Sequence, residues 1–186
     1  MLKTMSGIVK EKPEKGAVFL NNLPIPEVGD NDVLVRVKVA AICGTDKHIY
    51  EWTKWAQDRL KLPMVFGHEF SGVVDAVGQD VHHLKVGDRV VVEPIFKNFD
   101  SPFISNGEYN LSEPLGFVGL SSNGGFASYV VVEDYMVHKI PDSMSFEKGA
   151  LVEPAAVAVY AVLQSGLKIG ETVLVSGAGP IGLLCV

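Results

Sequence analysis

Short apolar runs separated by glycine-containing turns dominate the first 140 residues and limit the possible fold most strongly. In one run, Val33, Val35, Val37 and Val39 alternate with larger or charged residues, which is the period-two pattern of a half-buried strand. Turn sequences such as Val86-Gly87-Asp88 separate the runs. This arrangement predicts a compact antiparallel barrel or sandwich. The other predicted strands of this part are Ala17–Leu20, Gly72–Val77, Arg89–Val92 and Phe126–Val132.

Composition narrows the class of protein. The formal net charge of the 186 residues is -6 and no stretch is rich in lysine or arginine, so nucleic acid and anionic membranes are poor partners. Only two cysteines occur, Cys43 and Cys185, which is typical of a reducing compartment. The first residues lack the apolar core of a signal peptide, and Pro154–Leu163 is too short to span a bilayer. We expect a soluble, cytoplasmic protein.

The pattern changes after Pro141. Pro154 suits the first turn of a helix, and the apolar run Ala155–Leu163 continues that helix until Gly166. The run Glu171–Val175 then predicts a buried strand that leads directly into a glycine-rich segment. A complete nucleotide-binding unit would need more than about a hundred further residues. We therefore expect one domain over residues 1–152 and the truncated beginning of a second over residues 153–186.

Three residues have the chemistry of a metal site. Cys43, His68 and Glu69 offer a thiolate, an imidazole and a carboxylate, and a catalytic zinc takes three such ligands and leaves one position open. Spacing alone does not establish the site. Cys43 could be a small buried apolar residue, His68 a core histidine bonded to a carbonyl, and Glu69 a surface charge.

The motifs around these residues resemble the zinc-containing medium-chain alcohol dehydrogenase family. Gly67-His68-Glu69-x-x-Gly72, followed by Gly78 and Val81, matches that family's zinc signature. Cys43-Gly44-Thr45-Asp46 matches its first-ligand motif, and Val86–Val90 matches the turn that follows. The resemblance covers essentially the whole chain. It implies a mostly β fold, with a GroES-like catalytic barrel followed by the truncated start of a Rossmann α/β domain that binds NAD or NADP.

The resemblance also assigns the metal ligands. Cys43, His68 and Glu69 would hold a catalytic zinc, and Glu153 would be a fourth ligand or a carboxylate that reaches the metal through water. Glu153 could instead be placed by the helix dipole alone. Many family members bind a structural zinc through four cysteines, but the matching region Pro94–Gly116 has none. We expect one catalytic zinc and no structural zinc.

A proton relay is implied for the first-ligand motif. Thr45 and His48 are three residues apart and would share one face of a helical turn, with the hydroxyl beside the substrate and the imidazole toward solvent. Asp46 would orient His68. Alternatively, Thr45 is a capping residue and His48 is simply exposed.

The glycine pattern Gly177-x-Gly179-x-x-Gly182 follows a predicted strand and opens a predicted helix. Glycines there let the backbone approach a cofactor pyrophosphate at the helix amino terminus. The alternative is a tight turn without a ligand. Cys185 is expected to be a helix core residue.

The branch of the family is indicated by two segments. Leu151–Ala158 resembles 2,3-butanediol and sorbitol dehydrogenases, and His48–Trp52 is similar to threonine dehydrogenases. The resemblance implies an oxidoreductase that interconverts a small secondary alcohol, such as 2,3-butanediol, and its ketone, such as acetoin; L-threonine and sorbitol are the alternative substrates. A rival of another class is a non-catalytic GroES-like assembly module. We expect the full-length protein to be a homo-oligomer, a dimer or tetramer, and residues 1–186 alone to be inactive.

Two tryptophans follow the relay segment closely. Trp52 and Trp55 are predicted to share a helical face and to act as packing residues. Their alternative role is to wall a substrate pocket.

Overall fold

The valine-rich runs form antiparallel sheets in the computed structural model, which describes residues 4–186. Short strands predominate because a turn ends each apolar run after a few residues. Within the described residues there are ten strands: β1 (Thr4–Lys10), β2 (Val18–Pro24), β3 (Asp32–Ala41), β4 (Met64–Val65), β5 (Glu69–Val77), β6 (Arg89–Val92), β7 (Ile95–Phe96), β8 (Gly116–Phe117), β9 (Tyr129–Glu133) and β10 (Val137–Lys139).

The main core lies against a five-stranded sheet of order β10-β6-β5-β3-β9. Val33 and Val35 are completely buried in it, as the period-two pattern predicts, and Leu34 on the other face is buried as well. Burying a valine side chain stabilises a fold by about 1.5–3 kcal/mol, so the valine-rich strands stabilise the sheet through packing. A second sheet has the order β2-β1-β4, and β7 pairs with β8. The predicted mostly β class is confirmed.

Two predicted strands differ from the structure. The run Phe126–Val132 begins its strand only at Tyr129, because the residues before it pair elsewhere: the Phe126 N–H donates to the Phe66 carbonyl at 3.0 Å, and Ala127 bridges to Gly7. The run Glu171–Val175 forms no strand, which corrects the prediction. No strand in residues 4–186 pairs with it, and strand geometry depends on such partners.

Helices cover one side of the barrel and lead away from it. Helix α3 (Phe146–Ala150) packs against β3 and β5. Helix α4 (Val152–Gln164) begins as predicted, with Pro154 in its first turn, and Gly166 lies beyond its end at φ +68°. None of the helices in residues 4–186 is long and apolar enough to cross a membrane. The five helices are α1 (Gly44–Glu51), α2 (Lys54–Gln57), α3 (Phe146–Ala150), α4 (Val152–Gln164) and α5 (Pro180–Leu184).

The two tryptophans do not share a helical face, so that prediction was wrong. Trp52 ends α1 in the left-handed conformation, with φ +55°, and the chain turns before Trp55 enters α2. Both side chains still pack against a second apolar cluster that includes Ile49 and Phe66, which confirms their packing role.

A charged cluster holds the cysteine-free segment between β7 and β8 to the barrel. The Glu93 carboxylate lies 3.6 Å from His138 Nε2 and 3.5 Å from Lys97 Nζ, and the Lys97 ammonium lies 4.3 Å from the centre of the Tyr109 ring. Hydrogen bonds from His138 and Tyr109 lower the pKa of Glu93 to about 2. The same carboxylate raises the pKa of Tyr109 to about 12. Polar contacts therefore anchor a loop in which cysteines are absent.

We predict that Glu93→Gln destabilises the protein at pH 7 by about 1–2 kcal/mol, after allowance for solvent screening of a half-exposed cluster. Because the folded-state pKa of Glu93 is lowered, its stabilisation is present above the ordinary pKa of 4.5 and is lost as the pH falls toward 2. Urea unfolding of wild type and variant should therefore differ at pH 7, and by less than about half as much at pH 3. Glu108→Gln, in the same segment but exposed, is the control. Equal effects of the two substitutions would contradict the anchoring role.

Candidate metal centre

The pairing of β3 with β5 brings the three predicted metal ligands together. The two strands are antiparallel, and the last residue of β3, Ala41, lies opposite the first residue of β5, Glu69. Cys43 lies two residues after the end of β3 and His68 directly precedes β5, so both reach the same edge of the sheet. The ligand atoms of Cys43, His68 and Glu69 all lie within 4.8 Å of one another. Strand register thus replaces the close sequence spacing of a zinc finger.

The backbone before His68 requires glycine. Gly67 has φ +92°, a left-handed conformation that residues with a Cβ rarely adopt, and a Cβ there would lie 2.7 Å from the Phe126 ring. The Gly67 carbonyl also accepts a hydrogen bond from the Gly125 N–H at 2.8 Å. The glycine of the signature therefore lets a tight loop deliver His68 to the cluster.

Burial makes the cluster suitable for a cation. His68 and Glu69 are 4% and 6% exposed, and Cys43 is partly buried. Removal of water raises the pKa of the Cys43 thiol and of the Glu69 carboxyl, because their charged forms lose hydration. A divalent cation reverses this penalty, since it binds the deprotonated ligands. The nitrogen, sulfur and oxygen donors fit zinc with three protein ligands.

Asp46 faces the histidine of the cluster. Its Oδ1 lies 3.9 Å from His68 Nδ1, and neither atom has a hydrogen-bond partner within residues 4–186. Its Oδ2 accepts a hydrogen bond from the Cys43 N–H at 2.8 Å, which completes a capping box at the start of α1. A carboxylate on one ring nitrogen is the usual partner of a histidine that binds metal through the other. The arrangement suits the orienting role predicted for Asp46.

Glu153 lies near the cluster but outside the group of three. It belongs to the first turn of α4, and burial raises the pKa of its carboxyl while the charge of His68 lowers it. The nearby Glu69 and Asp46 carboxylates raise the pKa further. Glu153 therefore adds a second acid, partly buried, beside the ligands, and whether it touches the metal directly stays a prediction.

The two predicted relay residues lie on α1, and no side-chain hydrogen bond joins them within residues 4–186. Burial raises the pKa of the Cys43 thiol most, and the nearby Thr45 N–H and hydroxyl oppose that rise. His48 is exposed, and its Nδ1 lies 3.4 Å from Thr53 Oγ1. The His48 ring centre is 6.0 Å from that of Trp55. Thr45 thus adjoins a ligand and His48 faces solvent.

Sequence reasoning missed two neighbours of the site, Thr53 and Phe117, and did not predict the contact of Trp55 with His48. Thr53 and Trp55 approach His48 only because the chain turns at Trp52, and helical spacing does not reveal that turn. The Phe117 ring packs edge-on against His68, with ring centres 5.4 Å apart. Phe117 reaches this position through the pairing of β8 with β7, which has no sequence signal beyond a short apolar run.

The glycine-rich segment forms the predicted turn before a helix. Gly177 has φ +116°, and α5 starts at Pro180 directly after Gly179. A Cβ on Gly182 would collide with the Gly177 carbonyl oxygen. The backbone conformation therefore favours glycine at position 177 and close packing requires it at position 182, while binding of a cofactor there stays a prediction. Cys185 ends α5 with its sulfur 3.9 Å from the Ala158 carbonyl oxygen.

Comparison with known proteins identifies the class that this fold and cluster define. Residues 29–142 match the model of the alcohol dehydrogenase GroES-like domain. The chain belongs to that family, which confirms the class predicted from the zinc signature.

Similar proteins include several named dehydrogenases. The chain is 43% identical over 184 residues to the L-threonine 3-dehydrogenase of Rhizobium etli, covering 99% of this chain and 53% of the relative. The solved 2R,3R-butanediol dehydrogenase of Bacillus subtilis is 42% identical with a TM-score of 0.87, and the match covers 97% of this chain and 53% of the solved one. The solved galactitol-1-phosphate dehydrogenase of Escherichia coli is 32% identical with a TM-score of 0.89, and the match covers 97% of this chain and 51% of the solved one. The chain spans about half the length of the curated relatives it matches.

We predict that the purified protein binds close to one zinc ion per chain. Cys43→Ser and His68→Ala should each weaken zinc binding by more than about 100-fold, because each removes a ligand from a three-ligand set. Metal analysis after dialysis and a competitive chelator titration measure this. Cys185→Ser and His82→Ala, which change the same residue types away from the cluster, should retain zinc. Zinc loss in these controls, or zinc retention in the ligand variants, would contradict the assignment.

Asp46→Asn should weaken zinc binding by about 10–100-fold without removing a ligand, because the amide no longer supplies negative charge to the histidine. Competition with a chelator of known affinity measures the change. Asp75→Asn, at a half-exposed ion pair with Arg36, is the matched control and should leave zinc affinity unaltered. A zinc affinity of Asp46→Asn equal to that of wild type would contradict the orienting role of Asp46.

Proposed function

We propose that the protein is the metal-binding part of a zinc-dependent dehydrogenase that interconverts a secondary alcohol and its ketone with NAD or NADP. The observation that carries this proposal is the buried group of Cys43, His68 and Glu69, whose ligand atoms lie within 4.8 Å of one another. Zinc bound there would supply Lewis acidity at the substrate oxygen, and the nicotinamide cofactor would supply the hydride carrier. A non-catalytic assembly module would have no use for a buried set of three ligands.

Thr45 is placed to take the first proton. It is two residues from Cys43 and is near enough to that thiol to lower its pKa, so it lies beside the candidate ligands. Its oxygen would accept the alcohol proton as its own hydroxyl proton passes to water on the path toward His48, so that the hydroxyl is restored.

His48 would pass the proton to solvent. Its imidazole is exposed and lies on the same helix as Thr45, and a bridging water would connect the two side chains, since no direct hydrogen bond joins them in the described residues. Thr53, at 3.4 Å from His48 Nδ1, orients the ring and fixes the nitrogen that faces the path. A histidine suits this step because it changes charge near neutral pH.

The names of similar proteins support a secondary alcohol as the class of substrate. Relatives named L-threonine 3-dehydrogenase match nearly the whole chain, and a solved relative is a 2R,3R-butanediol dehydrogenase. We propose L-threonine and 2,3-butanediol as the first substrates to test, with sorbitol third. The glycine turn at Gly177, Gly179 and Gly182 would receive the pyrophosphate of the cofactor.

We predict that Thr45→Ala in the full-length protein lowers kcat by about 10²–10⁴-fold with zinc content unchanged, because the proton acceptor is lost. Thr45→Ser keeps the hydroxyl and should retain most of the activity. His48→Gln should have a smaller effect, because water can still carry the proton away from Thr45. Steady-state kinetics with metal analysis of each variant tests this. Loss of zinc in parallel with loss of activity would show a structural role instead.

A further inference from the structure

A cleft between the segment that follows α2 and the turn before Asn123 has the chemistry of an anion site. Its volume is about 450 Å³, and its polar lining consists of Arg59, Lys61, Ser121, Ser122 and Asn123. No acidic residue of the described chain lines it. Two cations without a counter-charge stand out in a protein whose net charge is -6.

The cations are not neutralised by their neighbours. Within residues 4–186 neither Arg59 nor Lys61 forms an ion pair at 4.0 Å or less. The carboxylate next to Arg59 in sequence, Asp58, is already paired with Lys54 at 2.6 Å. Both positive charges therefore remain available to a ligand.

The neutral groups of the cleft present donors because the backbone occupies their acceptors. The Asn123 side-chain oxygen accepts the Val65 N–H at 3.0 Å, which leaves the amide NH₂ group to donate. The Ser121 oxygen accepts the Phe117 N–H at 3.1 Å, which leaves its hydroxyl proton free to point elsewhere. A ligand that meets two cations, an NH₂ and a hydroxyl must bring acceptor oxygens.

Arg59 is held in place before any ligand arrives. Its guanidinium lies over the Trp55 ring, 5.0 Å from the ring centre, and its Nη1 donates to the Trp55 carbonyl at 3.3 Å. A side chain fixed by stacking loses less rotational freedom on binding than a free one. The other N–H groups of the guanidinium remain for a carboxylate or a phosphate.

Both walls of the cleft are connected to the metal-binding residues. On one side, Trp55 lies between Arg59 and His48, whose ring centre is 6.0 Å from it. On the other side, the turn that carries Ser121 and Asn123 begins at Phe117, which packs against His68. The two walls of the cleft therefore pack, through Trp55 and Phe117, against His48 and His68 of the candidate site.

We propose that this cleft is an anion site that holds the carboxylate or phosphate group of an acidic secondary alcohol, with Arg59 and Lys61 as the specificity-determining residues. The substrate assignment rests on the proposed dehydrogenase function. The anion site itself rests only on the residues of the cleft.

Binding of inorganic phosphate tests the site without turnover. A titration followed by tryptophan fluorescence should saturate, because an anion bound to the guanidinium that stacks on Trp55 changes the electrostatic environment of the ring. Arg59→Met/Lys61→Met should weaken phosphate binding by about tenfold or more, since it removes charge-assisted hydrogen bonds. Lys12→Met/Lys85→Met removes the same charge from exposed positions outside the cleft and should bind phosphate as wild type does. Absence of saturable binding, or equal weakening in both double variants, would overturn the site.

Kinetics of the full-length protein then separate a substrate acid group from a free anion. With 3-hydroxybutyrate the variant Arg59→Met/Lys61→Met should raise KM by about tenfold or more, whereas KM for 2,3-butanediol should change less than about twofold. Inorganic phosphate should compete with 3-hydroxybutyrate and not with 2,3-butanediol. Oxidation of neutral alcohols together with rejection of acidic ones would overturn the substrate assignment alone. Failure of all alcohols with phosphate binding intact would count against the dehydrogenase and leave the anion site standing.

Discussion

The register between β3 and β5 is the constraint on which the rest of this structure depends. Because Ala41 lies opposite Glu69, the residue that follows one strand and the residues that open the other meet at a single edge. A shift by one residue would turn Glu69 to the opposite face and would expose the buried valines of β3. The core and the candidate metal site are therefore specified by the same hydrogen bonds.

The electrostatic cost of the site follows from that geometry. Cys43, Asp46, Glu69 and Glu153 are acids gathered in a region where burial raises the pKa of each. Such a set is poorly stable when ionised without a cation, because like charges repel and water is excluded. Folding thus brings together acid groups whose ionised forms are most stable when a divalent ion is bound. The Asp46 carboxylate also connects the ligands to the first turn of α1, because it accepts a hydrogen bond from the Cys43 N–H.

Much of the local structure could be predicted from the residues in hand. Arg89–Val92 was correctly predicted as a strand because strands follow from alternation and apolar runs. The helix that Pro154 opens was correctly predicted because the φ of proline is fixed near the helical value. The metal ligands were predicted through motif resemblance, since their separation along the chain hides their proximity. Phe126 and Glu171–Val175 were misjudged for one reason: whether an extended segment becomes a strand depends on which partner is within reach.

The sequence by itself determined which chemistry is available: a thiol, an imidazole and a carboxylate in family motifs, a hydroxyl beside them, and glycines where a turn is sharp. Only the tertiary structure decided which of these groups meet. Thr53 and Trp55 reach His48 through a left-handed turn at Trp52, and Arg59 and Asn123 share a cleft although they come from distant segments. Contacts of this kind arise from chain reversal and strand pairing, which leave no periodic trace in the order of the residues.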